Sequence, residues 1–141
     1  MGSERARSAD FEVTPETAFR AALGVAQREK KFEIRAVHNG GYALIIRQKM
    51  KAFAMPKVIM LRVHQNGSVS TANVLVQNIP GGPSALLDGV FNGKIADKYL
   101  GDIQSVLDGT VSAPATTVAS HYVRDDGSEV PWEDPDELPD F

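Results

Sequence analysis

Pro56–Asn78, PKVIMLRVHQNGSVSTANVLVQN, is the stretch that decides the fold. Two runs of alternating apolar residues meet at Asn66-Gly67, a pair suited to a tight hairpin turn because its central positions need φ > 0. With Asn66 and Gly67 as the loop, Gln65 lies opposite Ser68 and the rest follows by counting outward. Ile59, Leu61 and Val63 then share one face with Val74, Ala72 and Ser70. Val58, Met60, Arg62 and His64 share the other with Leu75, Asn73, Thr71 and Val69. The first face is a core and the second is mixed.

Upstream, Lys31 to His38 and Tyr42 to Lys49 read as a second hairpin joined by Asn39-Gly40-Gly41. A three-residue loop pairs His38 with Tyr42, Ala36 with Leu44 and Ile34 with Ile46, and sets Glu33 against Arg47 on the opposite face. Further back, Thr14-Pro15 is a helix start, since Thr caps and Pro is tolerated at the first helical position. Phe19, Ala22, Leu23 and Ala26 recur at helical spacing, so this helix runs to about Arg28 with one apolar stripe. Met50 to Met55 crosses between the hairpins and carries Phe53 among Lys49, Lys51 and Lys57.

Downstream, Ile79-Pro80-Gly81-Gly82-Pro83 ends the sheet. Leu86, Leu87, Val90 and Phe91, followed by Ile95, Tyr99, Leu100, Ile103, Val106 and Leu107, form a long helical stripe. Asn92-Gly93 offers a place where it divides in two. The expected organisation is a disordered N-terminus over 1–12, an α+β domain over 13–109, a linker or edge strand over 110–123 and an acidic disordered tail over 124–141. The expected fold is a two-layer α+β sandwich: a four-stranded antiparallel sheet of two hairpins, with N- and C-terminal helices on one face.

From about Ala18 to Leu107 this order of elements, with Asn92, Gly93, Lys94, Ile95 and Ala96 at the entry to FNGKIADKYLGDIQSVL, resembles small bacterial domains of unknown function common in actinobacteria. The resemblance implies a fold and no reaction.

Composition excludes several function classes. The 141 residues are 43% hydrophobic, enough for one core, and contain no Cys, so thiolate metal sites and thiol nucleophiles are ruled out. His38, His64 and His121 have no metal spacing and read as solvated strand-end histidines. Ser68, Ser70 and Ser84 lie in no nucleophile elbow, and Pro80 to Ser84 lacks the Lys of a phosphate loop. The expectation is a protein without catalytic residues, cofactor or metal. The charged opening MGSERARSADFE has no apolar run behind it, which makes a cytoplasmic protein the default.

Charge is divided unevenly. Residues 124–141 hold eight carboxylates against Arg124, a net charge of −7, while the preceding chain is at +4. That modest positive charge makes a nucleic acid an unlikely partner, since the tail competes for it. The mixed sheet face gathers Arg35, Arg47, Lys49 and Arg62 around Val37, Ile45, Val58, Met60 and Leu75, a composition typical of interfaces. The leading expectation is a noncatalytic protein-interaction module, homodimeric or docking another protein through Arg35, Ile45, Arg47, Lys49, Met60 and Arg62. Its tail would dock or mask that face through Trp132, Leu138 and Phe141. The alternative is a small-molecule or lipid-head-group binding domain, with a pocket between sheet and helices or under the crossing, lined by Phe53 and Met55.

Overall fold

Helix α1 (Pro15–Arg28) begins where its sequence dictates: Thr14 Oγ1 accepts the Thr17 N–H at 3.2 Å, and Pro15 fills the first position. It buries Ala18, Phe19, Ala22, Leu23 and Ala26. The computed structural model describes residues 3–49, 56–79 and 87–141. Phe53, Met55 and the Pro80 to Ser84 turn lie outside the described residues.

The sheet has seven antiparallel strands, not four. They are β1 (Arg5–Phe11), β2 (Phe32–His38), β3 (Ala43–Gln48), β4 (Lys57–Asn66), β5 (Val69–Asn78), β6 (His121–Val123) and β7 (Glu129–Pro131). Their order in space is β1-β5-β4-β3-β2-β6-β7. The two expected hairpins form the middle, and three further strands extend both edges. Strand β1 carries no apolar stripe because Arg5 and Arg7 lie over helix α2 (Asp88–Leu107) instead of entering the core. Gly93 permits this approach, since a Cβ there would stand 2.8 Å from Arg7 Nη2. Asn92-Gly93 therefore sits inside one continuous helix rather than dividing it. Strands β6 and β7 are three residues each, too short for alternation to show.

Two registers differ from expectation. In the central hairpin the loop is Gly67-Ser68: Asn66 pairs with Val69, and Gly67 alone has positive φ, at 66°. Ile59, Leu61 and Val63 consequently face Val76, Val74 and Ala72. A shift of two keeps every side chain on its expected face. In the other hairpin, Glu33↔Arg47 and Ile34↔Ile46 pair as counted, but the register shifts between Ile34 and Ala36. The extra residue exchanges faces beyond it. Val37, expected outside, is in the helix-side core, and Ala36 turns outward.

Both helices pack on one face, where Leu44, Ile46, Ile59, Leu61, Val74 and Val76 are fully buried against Tyr99 and Ile103. The Tyr99 hydroxyl donates to the Ala22 carbonyl at 2.8 Å, and burial pushes its pKa well above the usual range. At one end of this layer Lys57 and Asp88 form a buried ion pair at 3.0 Å, with Asn78 bonded to both.

Candidate ligand-binding groove

The face away from the helices is ordered in rows, because neighbouring strands pair residue to residue. Ser8, Asn73, Arg62 and Ala43 stand side by side across β1, β5, β4 and β3. The adjacent row, two residues along each strand, is Ala6, Leu75, Met60 and Ile45. A largely polar row thus runs beside an apolar one. Trp132, Pro135 and Leu138 rise along this floor and border an open groove of about 370 Å³. That volume and lining fall in the range of small-molecule sites, which are mostly apolar with a few placed polar groups.

The C-terminal segment reaches this face through named contacts. Trp132 is buried with Ala36, Ala43 and Ile45, and its indole N–H donates to the Glu137 carbonyl at 3.0 Å. His38 meets the Trp132 ring edge-on. Its Nδ1 accepts the Gly41 N–H at 2.8 Å, which leaves the proton on Nε2 to donate to the Glu133 carbonyl at 3.0 Å. Arg62 donates through Nε to the Gly41 carbonyl at 2.8 Å and through Nη1 to Asp136 at 2.9 Å. Farther along, Asp125 accepts from Arg35 at 3.0 Å and lies 3.7 Å from Arg47. The Arg35 hydrogen bond holds the Asp125 carboxyl below its usual pKa. Phe141 lies over the Arg35 guanidinium and against Tyr122.

The residues singled out from sequence therefore fall into separate groups. Ile45, Met60 and Arg62 line the groove with Trp132 and Leu138. Arg35 and Arg47 grip the tail at Asp125, with Phe141 beside them. Lys49 is exposed at the end of β3, outside both groups. With the chain's own C-terminal segment over part of this face, a sheet-to-sheet dimer there would have to displace it. The pocket expected between sheet and helices is represented, among the described residues, by a hollow of about 100 Å³ beside Phe32, Ile95 and Tyr99. Ala6, Ser8 and Asp136 escaped the sequence reading as site residues, and His38, read there as a solvated strand-end histidine, is half-buried against Trp132. Only the small residues alternating with arginines in RARSADF hinted at the first two. Among the described residues no three metal-ligating side chains converge, and no helix is long and apolar enough to cross a membrane.

No family profile and no curated protein matches the chain. Solved structures do match in shape. Ara h 8.0201 superposes with a TM-score of 0.58 at 13% identity, covering 77% of this chain and 97% of its own. DynU16, a protein of the dynemicin biosynthetic locus, gives 0.60 at 11% identity over 91% of this chain; the match spans 56% of DynU16. At such identities the likeness concerns fold alone. That fold is the Bet v 1-like helix-grip class, an antiparallel sheet against a long helix, and it replaces the four-stranded sandwich.

Proposed function

We propose that this protein is a noncatalytic small-ligand-binding domain whose pocket is the groove between the outer sheet face and the C-terminal segment. The observation that carries the reading is the floor of paired rows, apolar beside polar, with Trp132 and Leu138 along its side. A helix-grip fold fits a pocket-binding domain better than a docking module, and it is the groove's lining, not the fold, that puts the pocket on the outer face. This lining suits a small ligand with an apolar body over part of the Ala6 to Ile45 row and one polar edge on the Ser8 to Arg62 row.

The test is a titration with 2-naphthamide followed by thermal melting and methyl NMR. Stabilisation with shifts at Met60, Leu75 and Leu138, and none at Ile59 or Ile103, supports the groove. Shifts at Ile59 and Ile103 instead would move the pocket between the layers. No shift at either set would overturn the reading for this ligand class.

A further inference from the structure

The chemistry of the groove's polar row specifies more than size, and the following step rests on the pocket reading above. Arg62 has five N–H donors. Nε is taken by the Gly41 carbonyl, and Nη1 by Asp136 at 2.9 Å and the Pro135 carbonyl at 3.4 Å. Nη2 has no partner among the described residues. Asp136 is 79% exposed, and its carboxylate meets the guanidinium through one nitrogen. An exposed pair of this kind contributes little net stability, on the order of 0 to 1 kcal/mol. It is readily exchanged.

Around Arg62 the groove offers donors and few acceptors in use. Asn73, its neighbour on β5, contacts His64 at 3.4 Å through its amide nitrogen. Ser8, next in the row, makes no side-chain hydrogen bond among the described residues. No carboxylate other than Asp136 is bonded to Arg62, and none lines the groove. Arg62, Asn73 and Asp136 also border a more open depression running to His64 and Gln65, so there is room beside Arg62 for the Asp136 carboxylate to move aside.

We infer that the groove takes an amphipathic carboxylate, its ring system on Ala6, Leu75, Met60 and Ile45 and its carboxylate on Arg62, and that Asp136 occupies that place in the unliganded protein. A planar guanidinium holds a carboxylate through two parallel N–H groups, which the single-nitrogen contact of Asp136 leaves unused. The entering ligand gains this second bond together with apolar burial. The tail's own acid is then displaced into water, where it was already largely solvated.

The experiment compares 2-naphthoate with 2-naphthamide on the full chain, by calorimetry and by methyl shifts at Met60 and Leu138. A charge-assisted bond is worth enough more than a neutral one that the acid is expected to bind about tenfold more tightly. Arg62→Gln should bring that ratio to about one, while Arg62→Lys, which keeps charge and loses the fork, should leave it intermediate. Asp136→Asn should tighten the acid about threefold by removing the competitor. If the two probes bind equally to the wild-type chain, the pocket stands and the carboxylate assignment is overturned. A preference that survives Arg62→Gln overturns Arg62 as the anchor. If neither probe binds, the pocket reading itself fails.

Discussion

The two faces of the sheet are built from the same strands and could hardly differ more in how they are covered. On the helix side Leu44, Leu61 and Val74 are closed over by two helices and buried in one cluster with Tyr99 and Ile103. On the other side Ile45, Met60 and Leu75 alternate with them at the next residue along each strand, yet only a C-terminal segment with short strands approaches. Alternation sends neighbouring residues to opposite faces. One face therefore supplies stability and the other is left with an open groove, within a single sheet.

The contrast can be broken or sharpened by substitution. The largest effect is expected from Lys57→Ala, which removes the Lys57 ammonium from the buried Asp88 carboxylate; such losses amount to about 3 to 5 kcal/mol. Chemical denaturation measures it, and a near-neutral value would show that the pair is solvated. Leu61→Ala should follow at about 2 to 5 kcal/mol, because its site is closed on the helix side. Trp132→Ala acts on the other face and should lower stability by about 1 to 3 kcal/mol. Hydrogen exchange should rise in residues 121–141 and hold steady at Ile59 and Ile103. Uniform loss of protection would mean that the faces unfold as one.

Acid provides a gentler probe of the outer side. Asp125 has its pKa lowered by Arg35, so its contribution to holding the tail is complete above the unfolded carboxylate value and fades as pH falls through the folded one. The tail contacts at Arg35 should loosen below about pH 4, read as a change at the Phe141 ring by NMR before the core melts. Unchanged Phe141 signals down to the global transition would remove Asp125 from the clasp. The smallest effect is expected at the turn: Gly67→Ala, forcing a side chain into φ 66°, should cost about 1 kcal/mol in denaturation and leave both faces intact.

How much of this was legible in the sequence follows from which signals are local. Thr14-Pro15 and the Phe19 to Ala26 spacing placed α1 because capping and helical periodicity are properties of neighbouring residues. The faces of β4 and β5 were also readable, since period-2 alternation survives a register shift of two. The bulge between Ile34 and Ala36 was not, because nothing in FEIRAVH marks an extra residue, and one such residue reverses Ala36 and Val37. Strand β1 stayed hidden behind arginines whose partner is the surface of α2, a contact made across about ninety residues of chain. The groove was half visible: Ile45, Met60 and Arg62 were picked out for their composition, but the wall that makes them a pocket depends on where the tail lands.

The outermost strand, β7, ends in Pro131, a residue with no N–H to offer. With three residues and a missing donor, that margin gives a neighbouring chain almost nothing to add onto, while the opposite margin at β1 carries arginines. Both borders discourage growth of the sheet from molecule to molecule. At both open sides the sheet is thus a poor template for a further strand.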